Sequence, residues 1–303
     1  IVNQIIFVYN LCIFGGTAGV GIFTAQYFGQ KNDEGIRSTF RYKIWLALII
    51  TVGAAFLLLF FGKQLILLYL MGENGGNEKL ALEYGMTYLR IILLDLPAFM
   101  ILQVYASTMR ECGETVVPMK AGAAAVAVNL IFNYLLIYGK FGFPRLGVAG
   151  AAVATVISQG VSVVLCILYI FSRVKILLPE KQHFRVGSHL YWELFSQSIS
   201  MGLMSSIVSA GSVILQYGIN GLGTLTIAGH TAARKLFAFT DMPLIAMANA
   251  ASTFVSQNYG AGQPERIRKG MREIYLYSLV VMVVTVLLNN NSFSYYFNFK
   301  LKE

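Results

Sequence analysis

Charge is what this sequence has least of. Only 12% of its 303 residues are Asp, Glu, Lys or Arg, while 56% are hydrophobic. A soluble domain carries about 25% charged residues, so a water-soluble protein of this length would lack the polar surface to enclose its core. Cysteine is scarce too. Cys12, Cys112 and Cys166 show no CxxC or CxxxH spacing, which argues against a disulfide framework or a zinc site, and Cys12 and Cys166 lie in apolar blocks as small core residues. GxxxxGK[ST], GxSxG and HExxH are all missing, so neither a P-loop ATPase nor the hydrolase and zinc-protease constellations are present. His183 and His189 stand in a basic stretch without acidic or cysteine partners and read as surface residues. The expectation is a protein that is not an enzyme and has no cofactor.

What is present is long apolar runs. A membrane-spanning helix needs about 20 apolar residues. Eight segments qualify, roughly 2–28, 44–70, 82–108, 117–138, 147–171, 194–219, 225–257 and 273–288. Small residues are dense in several of them, as at Gly122–Ala125, Gly147–Ala152 and Ala246–Ala251, and permit close helix packing. Pro243 predicts a kink in the seventh. The stretch from Asn289 to Glu303 has no helical periodicity and is expected to be irregular. The first residue, Ile1, already belongs to an apolar run, so a chain incomplete at both ends is expected.

The net charge of +9 raises nucleic acid as a partner, but the basic residues fall in short clusters between apolar blocks rather than on one polar face. They alternate instead. Loops after the odd spans hold fourteen (Lys31, Arg37, Arg41, Lys43, Arg110, Lys120, Arg173, Lys175, Lys181, Arg185, Arg266, Arg268, Lys269 and Arg272), against four after the even ones (Lys63, Lys79, Lys140 and Arg145). The positive-inside rule then makes the basic loops cytoplasmic, with residue 1 near the outer face of the plasma membrane. No nucleic acid partner is expected.

One internal repeat stands out. Ala25-Gln26-Tyr27-Phe28-Gly29 and Ser256-Gln257-Asn258-Tyr259-Gly260 close two apolar spans at an offset of 231 residues. Glu34, Ile36, Arg37 and Arg41 then match Glu265, Ile267, Arg268 and Arg272. Both copies follow an odd span, so the repeats are parallel, an arrangement found in transporters that bind substrate between two halves.

These residues also carry a resemblance. Thr253 to Gly262 resembles the signature ending the eighth helix of the multidrug and toxic compound extrusion (MATE) family, and Thr24 to Gly29 its partner ending the second. Met109-Arg110-Glu111-Cys112-Gly113-Glu114-Thr115 with Pro118 resembles the family's LRGxGDTxxP loop, with Glu114 in place of Asp. Asn129 to Gly139 and Leu146 to Thr155 resemble its fifth and sixth helices. The resemblance implies an all-α polytopic membrane protein of two pseudo-symmetric helical lobes, with the eight spans as helices two to nine of twelve. Residues 1–171 would be the N-terminal lobe, 172–189 a cytoplasmic linker, 190–288 the start of the C-terminal lobe and 289–303 a tail.

The same resemblance implies export of amphipathic, cationic compounds in exchange for Na⁺ or H⁺ by a monomer. A family carboxylate on the fifth helix, four residues after an Asn, corresponds here to Asn133 after Asn129, and Thr155 looks like a further contributor. A coupling-cation site and simple interhelical hydrogen bonding both remain open for this set. Ionisable residues inside a span are functional candidates by default. His230, Arg234, Asp241 and Ser252 form one polar stripe on the seventh span, open to reading as cavity lining or as a structural ion pair. Asp95, with Arg90, sits inside the third span as a proton site, a cation site or an ion-pair partner. Gln216 is a further cavity-lining candidate. Two alternatives to drug export stand: a flippase for lipid-linked precursors, and a non-transporting truncated membrane protein.

Overall fold

Long apolar runs with small residues on one face leave the backbone a single way to satisfy itself in lipid, the helix. The computed structural model describes residues 2–70, 78–173, 188–220 and 224–300, and every element among them is helical. They are α1 (Val2–Gly29), α2 (Asp33–Leu70), α3 (Glu78–Ile92), α4 (Asp95–Glu111), α5 (Val116–Tyr138), α6 (Val148–Arg173), α7 (Ser188–Asn220), α8 (Thr224–Gly260) and α9 (Pro264–Lys300). Most of the expected linker, from 174 to 187, lies outside the described residues.

Among the described residues, five helical stretches are long and apolar enough to cross a bilayer: Ile5–Gly29, Asp33–Leu67, Val116–Tyr138, Val148–Ser172 and Pro264–Leu287. A sixth forms if Lys79–Ile92 and Asp95–Glu111 count as one span bent by 47°. The side chains of α7 and α8, the other two expected spans, are described only in part. Exposed Ile49, Val52, Leu59 and Phe60 on α2, and Leu279, Val280 and Leu287 on α9, present apolar surface that suits lipid and not water. At 38 residues, α2 is about 57 Å long and overreaches a hydrocarbon layer of about 30 Å. Part of its surplus is the polar first turns from Asp33 to Lys43, where Asn32 Oδ1 accepts the Gly35 N–H at 2.9 Å as an N-cap.

Two expectations need correction. The third span is not one helix. It breaks at Leu93–Leu94, because Pro97 has no N–H to offer the Leu93 carbonyl four residues earlier. The C-terminal tail is not irregular either, since α9 continues through Asn289–Ser292 to Lys300. Extending an existing helix is far easier than nucleating one, which outweighs the poor helix propensity of Asn and Ser. Pro243 lies inside α8, which is helical on both sides of it.

The chain divides into two compact units. The first comprises 1–24 and 32–206. In it α6 packs along α5, α4 and α3, and α2 packs on α3 and α4. Glycines let α1 meet α7, with a Cβ at Gly19 placed only 2.7 Å from the Gln197 carbonyl oxygen. The α4–α5 turn is built by the motif residues themselves. Gly113 takes a left-handed φ of 82°, the Glu114 N–H reaches back to the Met109 carbonyl at 2.8 Å, and Tyr169 of α6 donates to Glu114 Oε2 at 3.2 Å.

The second unit comprises 25–31 and 207–303, so it contains the Ala25–Gly29 segment of the first copy together with the whole second copy. The turns that end the two copies share hydrogen bonds. Gln30 N–H donates to Gln26 O as Ala261 N–H donates to Gln257 O, both at 3.0 Å. Lys31 and Gly262, 231 residues apart, both adopt left-handed φ values, 58° and 65°. The contact between them is reciprocal: a Cβ at Gly29 would collide with the Gln257 carbonyl oxygen, and a Cβ at Gly260 with that of Gln26.

Candidate functional site

An amide buried in a helix bundle must find partners for its two donors and its carbonyl oxygen. Asn129 and Asn133 lie one turn apart on α5 and find them in each other and in α6. Asn133 Nδ2 donates to Asn129 Oδ1 at 2.8 Å, and Asn129 Nδ2 donates to Ser158 Oγ at 3.3 Å. Ser158 hands its proton to the Thr155 carbonyl at 2.8 Å, while Thr155 Oγ1 donates to Ala151 O at 3.0 Å. Tyr88 of α3 approaches Thr155 and Asn3. Asn129, Asn133 and Thr155 are therefore brought together, with Ser158 and Tyr88 added. Ser158 lies one turn from Thr155 on the same helix face, a spacing that the sequence already contains.

The cluster is neutral. Its oxygens suit a hard monovalent cation, whereas an amide has no group that exchanges a proton near neutral pH. Among the described residues no three His, Cys, Asp or Glu side chains group as metal ligands.

Asp95 is held elsewhere. It opens α4 at the break, 6% exposed, and its Oδ1 makes no hydrogen bond. Arg90, its neighbour in sequence, is exposed on α3. Beside it, Tyr9 of α1 donates to Leu96 O at 2.8 Å, and Tyr9 Oη lies 3.0 Å from Thr51 Oγ1 of α2.

The stripe on α8 is less gathered. His230 and Asp241 are half-buried and Arg234 is exposed. His230 Nε2 is buried without a hydrogen-bond partner, and no ion pair joins Arg234 to Asp241 among the described residues. The side chain of Gln216, on α7, lies outside the described residues.

One polar centre goes beyond the sequence-based expectations. Lys43 is fully buried and donates to Glu111 Oε2, with Thr108 Oγ1 at 3.3 Å and Ser107 Oγ at 3.4 Å. Gly21 of α1 leaves room for the Glu111 carboxylate, and Thr24 lies nearby. By sequence Lys43 belongs with the loop charges, and only the acidic residue where the family loop has Gly points to a partner. Just past this pair, burial and the nearby Glu111 push the Cys112 thiol up to about 12, so it stays protonated.

The MatE family model matches residues 1–135 and 201–298. The probable multidrug resistance protein NorM of Thermotoga maritima is 26% identical over 93% of this chain and 59% of its own length. The probable multidrug resistance protein YoeA of Bacillus subtilis is 24% identical over 89% of this chain and 58% of its own. The chain thus spans about three-fifths of the length of the curated relatives it matches. Among solved structures, that of a MATE protein in the straight conformation aligns with a TM-score of 0.76 at 20% identity, over 95% of this chain and 63% of the other. An outward-facing MATE transporter aligns with a TM-score of 0.73 at 19% identity, over 95% and 62%. An all-α polytopic fold with these spans, this repeat and a family match over most of its length places the chain in the MATE family of multidrug transporters.

Proposed function

We propose that the protein works as a secondary antiporter in the plasma membrane. It exports amphipathic, cationic compounds in exchange for a monovalent cation, with the basic loops cytoplasmic. The observation that carries this reading is the oxygen-rich amide and hydroxyl cluster of Asn129, Asn133, Thr155 and Ser158, set between α5 and α6 inside the spanning region. Family membership and the names of its relatives supply the export reading. An ion shifts a two-state transporter only as far as its affinities for the two states differ. A neutral cluster discriminates through the number of oxygens it can close around Na⁺, so Na⁺ is the coupling ion this cluster favours. On this reading the lobes are 1–171 and 190–288 and work as a monomer, and the half-buried His230 and Asp241 of α8 serve the substrate path with Arg234 of the same helix.

The flippase alternative needs a strongly basic cavity. Arg90 and Arg234 are exposed and Lys43 is engaged by Glu111, which leaves that reading without an observation in its favour.

The test is ethidium efflux from cells expressing the protein, with the Na⁺ and proton gradients collapsed separately. Efflux should fall when the Na⁺ gradient is removed, and Asn133→Ala should reduce the Na⁺-dependent part about tenfold, the effect of losing about 1.4 kcal/mol of ion binding. Efflux indifferent to both gradients overturns the antiport reading. No efflux from a well-expressed protein favours the non-transporting one.

A further inference from the structure

Two carboxylates are buried among the described residues, and only one of them is answered. Glu111 has Lys43. Asp95 has no salt-bridge partner among the described residues, although it is only 6% exposed and sits at a break in a membrane span. An unpaired carboxylate in such a place costs several kcal/mol, so it is retained with a counter-charge or as the neutral acid.

Its surroundings offer oxygen and few protons. Tyr9 and Thr51 each carry one hydroxyl hydrogen. Between them they make three oxygen–oxygen contacts: Tyr9 to Leu96 O at 2.8 Å, Thr51 to Ala47 O at 2.7 Å, and Tyr9 to Thr51 at 3.0 Å. Two hydrogens cannot fill three contacts, so none is left over for Asp95 Oδ1, which is the unpartnered atom. The break adds another acceptor, because Pro97 cannot donate to the Leu93 carbonyl. The titratable groups near Asp95 are Tyr9 from α1 and Tyr88 from α3. From α2 comes the hydroxyl of Thr51, which meets Tyr9 at 3.0 Å. Interrupted membrane helices bind cations in this way, with freed carbonyls beside an acidic side chain.

We propose that the α3–α4 break is a binding site for one positive charge, a proton or a Na⁺ ion, with Asp95 as its carboxylate and the Tyr9 and Thr51 hydroxyls and the Leu93 carbonyl as its neutral oxygens. It is a second site, separate from the Asn129–Asn133 cluster to which the antiport reading assigns the coupling ion. It stands or falls on binding alone.

The full chain is purified in detergent and studied by infrared difference spectroscopy, in choline chloride and then in NaCl. If a proton occupies the site, a carboxylic-acid C=O band disappears as pH rises, is missing in Asp95→Asn, and returns shifted in Asp95→Glu. If Na⁺ occupies it, NaCl raises the melting temperature of the wild type and bleaches any such band. Asp95→Asn and Tyr9→Phe then weaken the Na⁺ effect about tenfold or more, a change of about 1.4 kcal/mol. The readout is the part of either signal that is lost in Asp95→Asn, whatever Na⁺ does at the Asn129–Asn133 cluster. The proposal is overturned if no acid band depends on Asp95 and Na⁺ stabilises Asp95→Asn as well as it does the wild type. A variant that does not fold is replaced by Asp95→Glu, whose band position and Na⁺ affinity must both differ from wild type for the site to stand.

Discussion

A lysine with no exposed surface inside an apolar bundle must be answered by its neighbours, and Lys43 is answered completely. The Glu111 carboxylate takes its charge, while Thr108 and Ser107 take the remaining N–H groups. Removing one partner of such a pair strands a buried charge at a cost of about 3–5 kcal/mol, whereas replacing both with apolar groups of similar size is close to neutral. Lys43→Met and Glu111→Leu are each expected to lower thermal stability strongly in detergent. The double variant should recover most of that loss, giving a coupling of about 3 kcal/mol or less. Additive losses would show that the pair has no mutual dependence. At this scale the sequence is legible for side chains one turn apart on one helix, Asn129 with Asn133, since helical spacing alone brings them together. It is not legible for Lys43 with Glu111, 68 residues apart, because a lysine at the edge of an apolar run looks the same whether it meets water or a carboxylate.

At the scale of helices, the repeat ends in a contact that only the fold displays. Gly29 and Gly260 each sit against the backbone carbonyl of the other copy, Gln257 and Gln26, so neither position has a flexible side chain that can move aside for a methyl group. Gly29→Ala and Gly260→Ala should each cost about 1–3 kcal/mol by overpacking, and by similar amounts, because the two sites are equivalent. Gly53, on the exposed face of α2, has open space where a methyl group would stand, with no atom within 4 Å. There Gly→Ala should be neutral or stabilising by up to about 1 kcal/mol. Melting temperatures of the three variants decide it, and equal behaviour at all three would remove the close crossing. The matched residues are visible in the sequence as an offset of 231. Their reciprocal packing is not, since similarity between two segments does not say that they touch. The break in the third span escapes the sequence for a related reason: apolar periodicity runs through Leu93–Leu94 uninterrupted, and its cause, Pro97, lies a turn further on.

For the whole molecule the quantity that sets its topology is how many times the chain crosses the membrane. Among the described residues, five stretches, or six with the bent pair, are long and apolar enough. Eight crossings require α7 and α8 as well, and α8 carries His230, Arg234 and Asp241 along its length. Charges on a spanning helix are tolerated when they face protein or a water-filled cavity, so composition alone does not exclude α8. The distribution of Lys and Arg makes a sharper statement, because it puts successive loops on alternate sides. Single cysteines replacing Lys140, His183, Leu222 and Gln263 test it, introduced after Cys12, Cys112 and Cys166 have been changed to serine. Lys140→Cys and Leu222→Cys should react with a membrane-impermeant maleimide on intact cells. His183→Cys and Gln263→Cys should react only after permeabilisation. Reversal of all four would invert the orientation and leave the spans intact. Leu222→Cys and Gln263→Cys labelling from the same side would mean that α8 does not cross, and its polar stripe would then lie along the membrane surface rather than within a transport path.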